Sequence, residues 1–296
     1  MRALVIGASG FLGRHVKAAL HAHGHLVLGT SRKGGNGLVA HELGGPFPVE
    51  VCKFNPDIVL NLAWEGIPDF TLERCRRNVE LQMELVESVI GLGSVRRLVM
   101  AGSCREYGDA ASTDRLQPAP LDEFGRAKDE VHRRTAEYCH SAGLDLTWFR
   151  IFYVFGPGQR AGSLIPSVID RIVAGSEPEV RDPRATHDFI DASDVAAAFV
   201  CALDSTGTYE VLDLGSGRLT TVREVVDVVL SVLRRPRTGE VVISPLGGLR
   251  ADIGRTEDVL GWSPVIDLED GIRAMIKESD LGVERLEEIG REWRGT

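Results

Sequence analysis

A glycine-rich turn near the start of the chain constrains its fold more than any other feature of the sequence. An apolar segment at residues 2–6 leads into Gly7, Gly10 and Gly13, and a stretch with helical composition follows. In a strand–turn–helix unit the first glycine permits a tight turn, the second lets the backbone approach a pyrophosphate, and the third lets the helix pack on the strand. The helix N-terminus then offers amide groups to phosphate. The turn therefore predicts a dinucleotide site, contacted by Gly7, Ser9, Gly10, Phe11, Leu12 and Gly13.

Apolar strand patterns alternate with helix patterns through the first half of the 296 residues. Strands are predicted at 3–6, 25–28, 58–62, 97–101, 145–151 and 211–214, and helices at 72–92, 125–142, 163–174, 219–233 and 267–279. Thr220 or Thr221 and Asp267 are the expected N-caps of the last two helices. Alternation of this kind is typical of right-handed βαβ units, so we expect an α/β fold with a Rossmann-type, doubly wound parallel sheet. We expect residues 1–158 plus about 187–215 to form the dinucleotide-binding domain, and residues 159–186 and 216–296 to form a smaller C-terminal α/β substrate lobe.

Composition argues against several classes of partner. The formal net charge is −9 and no basic tail or stripe is present, which argues against nucleic acid or an anionic membrane as the main partner. No apolar run reaches the roughly 20 residues of a membrane helix, and a strand that begins at residue 2 predicts no signal peptide. The five cysteines are scattered and form no Cys-x-x-Cys pair, which favours a reducing, cytoplasmic compartment. Asp188, Asp191 and Asp194 do not by themselves define a metal site, and no metal is predicted.

Further motifs follow the glycine turn in order along the chain. They are Asp57 to Ala63, Asn78-Val79, Ser103 to Gly108, Phe124 to Lys128, Arg150 to Gly158, His187 to Val195, Arg250, and Leu260 to Pro264. This ordered set resembles the extended short-chain dehydrogenase/reductase family, in particular its NAD(P)-dependent nucleotide-sugar epimerases, dehydratases and 4-ketoreductases. The resemblance covers about residues 2–278. It implies a nicotinamide cofactor bound beside a nucleotide-activated sugar.

The resemblance implies a role for each matching residue. Ala63 is expected beside the nicotinamide ribose, where a small side chain leaves room for the cofactor, and Leu62 is expected to contact the cofactor as well. Asn78 matches an asparagine that braces the backbone of the active site. Ser103 matches the catalytic serine or threonine that hydrogen-bonds the substrate carbonyl. Lys128 matches the lysine that binds the nicotinamide ribose and lowers the pKa of a tyrosine one helical turn earlier.

The tyrosine position of this motif is occupied by Phe124. A phenyl ring has no hydroxyl, so it can neither give nor take a proton, and the loss of a general acid typically costs about 10²–10⁴-fold in rate. Three interpretations stay open. The residue is an engineered replacement of tyrosine, or a natural enzyme routes the proton through Ser103, Tyr107 or a water held by Lys128. In the third interpretation the protein binds the cofactor and has lost the chemistry.

The end of the second strand indicates which nicotinamide cofactor is bound. An NAD site usually has an acidic residue there, which binds the ribose 2′-hydroxyl. This chain has Ser31, Arg32 and Lys33 instead, and cationic donors suit a 2′-phosphate. The sequence therefore favours NADP over NAD.

Several residues are candidates for contact with the substrate. In the family an arginine at the position of Arg250 binds the diphosphate of a nucleotide-sugar, and Tyr153 replaces an asparagine that many relatives use for substrate contact. Arg105 follows Cys104, where dehydratases of the family commonly have an Asp-Glu pair, so a 4,6-dehydratase is disfavoured. The expected substrate is a nucleotide-diphosphate sugar, contacted by Trp64, Glu65, Ser103, Arg105, Tyr153, Arg160 and Arg250.

The leading hypothesis is an NADP-dependent 4-keto-6-deoxyhexose reductase that acts on a nucleotide-activated sugar. A nucleotide-sugar epimerase and a catalytically silent cofactor-binding protein are the alternatives. The family also includes homodimers formed through helices that correspond to residues 72–92 and 125–142, so a homodimer is a further expectation.

Overall fold

The computed structural model describes residues 1–108, 118–236 and 245–278. The strands are β1 (Arg2–Ile6), β2 (Leu26–Ser31), β3 (Leu38–Ala40), β4 (Ile58–Asn61), β5 (Arg97–Ala101), β6 (Asp145–Ile151), β7 (Tyr153–Phe155), β8 (Thr186–His187), β9 (Phe189–Asp191), β10 (Tyr209–Leu214) and β11 (Thr220–Thr221). The helices are α1 (Phe11–Ala22), α2 (Val49–Phe54), α3 (Leu72–Gly91), α4 (Glu123–Ala142), α5 (Leu164–Val173), α6 (Ala192–Cys201), α7 (Val222–Val232), α8 (Ile253–Leu260) and α9 (Leu268–Glu278). A short 3₁₀ helix covers Cys104–Tyr107.

Seven strands form one parallel sheet in the order β10-β6-β5-β4-β1-β2-β3. Its central strands β1, β4 and β5 are mostly apolar because both faces are covered by helices. Ala3 and Val5 pack in a cluster with α1 and α6, whereas Leu4 and Ile6 pack in a second cluster with α3 and α4. The predicted Rossmann-type doubly wound sheet is confirmed, and its strand order reverses between β1 and β4.

Residues that follow β6 in the chain form a further, smaller hydrophobic cluster. Helices α5, α7 and α9 share this cluster with Phe155 and Phe189. Strands β7 and β9 pair in parallel, and β8 and β11 pair antiparallel. Trp262 packs in the main sheet cluster, and its indole donates to the carbonyl of Asp194 at 3.0 Å. The residue boundaries of the two predicted domains stay a prediction.

Helix starts follow local capping chemistry. Thr221 accepts from Glu224 N and forms a capping box at the start of α7, as expected for one of the two candidate threonines. Asp267 accepts from the amide of Asp270 at 2.8 Å ahead of α9. Residue 279, the last of the predicted final helix, lies outside the described residues. In the described part of the chain, no helix combines the length and apolarity that crossing a bilayer requires.

Candidate active site

The glycine turn brings β1, α1 and β4 into close contact. Gly7 has a φ of 80°, and a Cβ built there would lie 3.0 Å from the backbone nitrogen of Ala63. A Cβ at Gly13 would overlap the carbonyl oxygen of Gly7. These two glycines therefore let the turn close against the helix and against the end of β4, as predicted for a dinucleotide turn.

The N-terminus of α1 has amides available for phosphate. Gly10 occupies the N-cap position without a side-chain cap, and the first turn contains no acidic residue. The first intrahelical bond runs from Arg14 N to Gly10 O at 3.1 Å, so the amides of Phe11, Leu12 and Gly13 have no helical acceptor. Exposed Ser9 adjoins this end of the helix. The arrangement fits the pyrophosphate of a dinucleotide.

Buried amide side chains fix the segment that follows β4. Asn61 accepts from the amide of Ala63 at 3.0 Å and donates to Gln82 at 2.6 Å. Gln82 in turn donates to the carbonyl of Ala63 at 2.8 Å. The amide of Leu62 continues the sheet pairing by donating to Ile6 at 3.0 Å. Leu62 and Ala63 are thus held rigidly beside the glycine turn.

Asn78 holds the backbone of Glu65, two residues further along this segment. Its carboxamide, fully buried, accepts from the amide of Glu65 at 2.7 Å and donates to the carbonyl of Glu65 at 3.0 Å. The Glu65 carboxylate forms ion pairs with Arg74 at 3.2 Å and Arg77 at 3.7 Å, so it is directed toward α3. This geometry has the form expected of an asparagine that braces the active-site backbone.

Phe124 lies in an aromatic cluster between two cations. Its ring, 9% exposed, contacts Trp64 edge-on with 5.3 Å between centroids and Phe70 with 4.6 Å. The Arg105 guanidinium carbon lies 5.4 Å from the ring centroid, and Lys128 Nζ lies 5.8 Å from it. The position that the family fills with tyrosine is therefore occupied by a ring that is packed on apolar neighbours and has two positive charges beside it.

Lys128 is buried at the carboxyl end of β5. Its Nζ donates to the carbonyl of Ala101 at 2.7 Å and lies 4.1 Å from the Trp64 ring centroid. Burial lowers the pKa of Lys128 to about 8, and the negative charge of Glu106 opposes this shift. The ammonium is one helical turn beyond Phe124, as the motif spacing predicts.

Ser103 begins the 3₁₀ helix after β5 and is held there by Glu106. The Ser103 hydroxyl accepts from the amide of Arg105 at 3.2 Å, and the Glu106 carboxylate accepts from the amide of Ser103 at 2.7 Å. Glu106 is fully buried and also accepts from Trp148 Nε1 at 3.1 Å and from Arg150 Nε at 2.8 Å. Sequence analysis missed Glu106, although the Ser-x-x-Glu spacing of a capping box signals it.

Tyr107 is engaged in structural contacts. Its hydroxyl donates to Asp213 at 2.6 Å, and the Arg150 guanidinium lies 4.4 Å from its ring centroid. Burial and the charge of Asp213 raise the pKa of Tyr107 above its ordinary value. A residue held in this way is poorly suited to deliver a proton to substrate, so this route for the missing proton is disfavoured.

The predicted substrate-contacting residues occupy several loops. Arg105 pairs with Asp122 at 2.7 Å, and Asp122 caps α4. Tyr153 begins β7, and its ring is tilted by 33° against that of His187, with 4.0 Å between centroids. Arg160 and Arg250 are exposed on the segments before α5 and α8, respectively. Their contacts with a diphosphate stay a prediction.

The loop after β2 has two exposed cationic side chains. Ser31 ends the strand, and its hydroxyl accepts from the amide of Gly34 at 3.1 Å, which turns the chain. Arg32 and Lys33 are exposed and form no ion pair within the described residues. Because β2 neighbours β1 in the sheet, this loop lies beside the glycine turn, where a 2′-phosphate is expected.

The three clustered aspartates each have a structural task. Asp188 accepts from Ser216, Gly217 and Ala251, Asp191 caps α6, and Asp194 accepts from the amides of Val265 and Ile266. Among residues 1–108, 118–236 and 245–278, no group of three or more His, Cys, Asp or Glu could hold a metal ion.

Known proteins resemble this chain in sequence and in fold. A model of the NAD dependent epimerase/dehydratase family matches residues 3–215, and the chain belongs to this family. The dTDP-6-deoxy-L-talose 4-dehydrogenase (NAD(P)(+)) of Kitasatospora kifunensis is 27% identical, over 93% of this chain and 94% of its own. The UDP-glucose 4-epimerase of Corynebacterium glutamicum is 25% identical, over 89% of this chain and 91% of its own. The structure of MoeE5 in complex with UDP-glucuronic acid and NAD is 28% identical, with a TM-score of 0.80 over 94% of this chain and 99% of that one.

Proposed function

We propose that this protein is an NADP-dependent reductase of a nucleotide-diphosphate sugar with a 4-keto group, most specifically a 4-keto-6-deoxyhexose. The observation that carries the proposal is the position of Lys128 and Ser103 at the carboxyl end of β5, with β4 and the glycine turn alongside. The name of the 27% identical relative, a 4-dehydrogenase of a dTDP-6-deoxyhexose, describes the same class of reaction and supports it.

The proposed chemistry needs little from the protein besides binding, orientation and one proton. When bound, the reduced nicotinamide supplies a hydride. The Ser103 hydroxyl hydrogen-bonds the carbonyl oxygen, and the Lys128 ammonium holds the ribose. Trp64 and Phe124 form an apolar wall that excludes water, and Ala63 leaves space for the ring. Hydrogen bonds to a developing alkoxide stabilise the transition state more than the ketone, which is the source of catalysis.

The proposed substrate contacts surround this centre. Arg250 and Arg160 bind the diphosphate, since a planar guanidinium suits bidentate contact with phosphate. The remaining contacts come from residues beside the sugar, namely Trp64, Ser103, Arg105 and Tyr153. The predicted contact of Glu65 is disfavoured, because its carboxylate is paired with Arg74 and Arg77. A homodimer through α3 and α4 stays a prediction.

The test of the function is turnover. The purified protein is mixed with NADPH and a panel of dTDP-, GDP- and UDP-linked 4-keto-6-deoxyhexoses, and loss of reduced nicotinamide is followed by absorbance. We expect NADPH oxidation that requires the keto-sugar nucleotide, by the chain itself and by the Phe124→Tyr variant. Absence of turnover by both proteins with every member of the panel would contradict the proposal.

An epimerase is the second candidate, supported by the 25% identical UDP-glucose 4-epimerase. An enzyme of that kind reoxidises its own nicotinamide in each cycle, so the purified protein would retain NAD(H) without addition. Interconversion of UDP-glucose and UDP-galactose with no consumption of added NADPH would favour this candidate over the reductase.

The cofactor assignment predicts a selective effect of Arg32→Ala. Removal of a charge-assisted hydrogen bond to the 2′-phosphate is expected to raise the KM for NADPH about tenfold or more, because such a bond contributes about 1.5–3 kcal/mol. The KM for NADH, which lacks that phosphate, should not change. Arg76→Ala, which removes an exposed arginine from α3, is the matched control. Equal effects of Arg32→Ala on both cofactors would contradict NADP specificity.

A further inference from the structure

Tyr153 is the tyrosine best placed to replace the hydroxyl that Phe124 lacks. We propose that Tyr153 is the general acid of this enzyme and donates its phenolic proton to the carbonyl oxygen of the substrate. The inference rests on the proposed reductase function and extends it to the source of the proton.

Tyr153 lies next to the segment that contains Ser103. It immediately follows Phe152, which packs with Cys104 and Tyr107 of the 3₁₀ helix in one small cluster. The strands β5 and β6 are neighbours in the sheet, and both Ser103 and Tyr153 come directly after their carboxyl ends. The amide of Tyr153 donates to the carbonyl of Asp188 at 3.0 Å, which fixes the start of β7.

The Tyr153 ring is held in place while its hydroxyl is left available. The ring packs on His187 with 4.0 Å between centroids and on Phe189 with 6.0 Å, yet the residue is 41% exposed. Within the described residues the hydroxyl has no hydrogen-bond partner. A phenol that is oriented by its ring and has an unused donor is a suitable acid for a substrate that enters beside it.

The titratable groups around Tyr153 include Arg105, Asp122 and the Cys104 thiol, together with the His187 ring that packs against it. Arg105 also lies against the Phe124 ring. Burial and the Cys104 and Asp122 charges raise the pKa of Tyr153 to about 12, whereas Arg105 lowers it. The phenol therefore has its proton at neutral pH, as a donor must.

The hydroxyls of the other tyrosines are hydrogen-bonded to protein groups or lie far from Ser103. The chain has four, and Tyr107 donates to Asp213. Tyr209 is the first residue of β10, at the end of the sheet away from Ser103, and its hydroxyl lies 2.8 Å from His132 Nε2. Tyr138 is 14 residues beyond Phe124 on α4, about 21 Å along the helix axis. Tyr153 is therefore the tyrosine beside Ser103 whose hydroxyl is available.

The proposed step balances without a further reactant. Hydride adds to C4 of the sugar, and the electron pair of the C=O π bond moves to oxygen. The O–H bond of Tyr153 breaks as a new O–H bond forms on the sugar oxygen. The ketone is reduced to an alcohol, the nicotinamide is oxidised, and the tyrosinate recovers a proton from solvent.

The test compares three substitutions. Tyr153→Phe is expected to lower kcat about 100-fold or more, the contribution of a positioned acid. Its affinity for the keto-sugar nucleotide, measured by calorimetry with NADP⁺ present, is expected to stay within about threefold, or about 0.7 kcal/mol. Tyr138→Phe makes the same atomic change on α4 and should alter neither quantity. Phe124→Tyr in the Tyr153→Phe background should restore turnover, which also shows that the variant is folded.

Each other outcome has a distinct meaning. Wild-type kcat in Tyr153→Phe would overturn the inference and leave the reductase function intact. A loss of affinity as large as the loss of rate would assign Tyr153 to substrate binding, which also overturns it. An inactive parent chain with an active Phe124→Tyr variant would identify a silent enzyme and reject Tyr153 as the acid. If neither turns over, the proposed function fails and the inference fails with it.

Discussion

Replacing Gly13 with alanine is expected to weaken NADPH binding about 100-fold, or about 2.8 kcal/mol, and to lower the free energy of unfolding by about 1–3 kcal/mol. The added methyl group would overlap the carbonyl oxygen of Gly7 and approach the Cα of Ala8, both backbone atoms that cannot rotate away. Helix α1 must therefore move off β1, and its free amides move with it. Cofactor affinity by fluorescence titration and stability by urea unfolding are the two measurements.

Gly91→Ala is the control for this experiment. Gly91 is the last residue of α3, and a Cβ there would meet no atom within 4 Å. Because alanine has a higher helix propensity than glycine, the free energy of unfolding of this variant is expected to be unchanged or up to about 1 kcal/mol higher. Unchanged NADPH affinity in Gly13→Ala would contradict the assignment of the turn as the pyrophosphate site.

The central sheet could be predicted because its signals are local. Strands buried on both faces are continuous apolar runs, and β1, β4 and β5 are of this kind. Helices with a capping residue have an equally local start, as Thr221 shows for α7. The short strands β3, β7, β8, β9 and β11 were not predicted, since two or three residues have no measurable period.

Only some residues of the candidate site could be predicted from the sequence. Lys128 and Ser103 stand in motifs with defined spacing, so their meeting at β5 could be expected. Phe70 packs 4.6 Å from Phe124 but belongs to an unpatterned loop that no motif marks. The ion pair of Glu106 with Arg150 joins residues 44 positions apart, and only the pairing of neighbouring strands brings them together.

Phe124 illustrates what a motif can and cannot establish. The spacing to Lys128 predicts one shared helix face, and the structure has both side chains there. The spacing says nothing of the ring's neighbours, which are Trp64 and Phe70 of the loop between β4 and α3 and Arg105 of the 3₁₀ helix. The position therefore has the ring of the family's tyrosine without its hydroxyl, so the proposed reduction needs another source for the proton.

Replacing Glu106 with alanine is expected to lower the free energy of unfolding by about 3–5 kcal/mol, the usual cost of breaking a buried ion pair from one side. Arg150, 4% exposed, would lose its carboxylate, and the amide of Ser103 and the indole of Trp148 would lose an acceptor. Glu130→Ala is the control, because Glu130 forms an exposed pair with Arg134 at 3.4 Å that contributes at most about 1 kcal/mol. Equal losses of unfolding free energy for both variants in urea would refute a stabilising role for Glu106 as the shared acceptor of Ser103, Trp148 and Arg150.

Glu106→Gln extends this prediction from stability to cofactor binding. The amide keeps an acceptor oxygen and the shape of the side chain but removes the charge that raises the pKa of Lys128. Burial already lowers that pKa to about 8, so loss of the opposing charge lowers it further. A lysine with a lower pKa loses its ammonium at a lower pH, and the charged donor proposed for the ribose is lost with it. We therefore expect the alkaline limit of NADPH affinity to move to lower pH in Glu106→Gln and to stay in place in Glu130→Gln. An unshifted limit would show that Glu106 supports Ser103 without tuning Lys128.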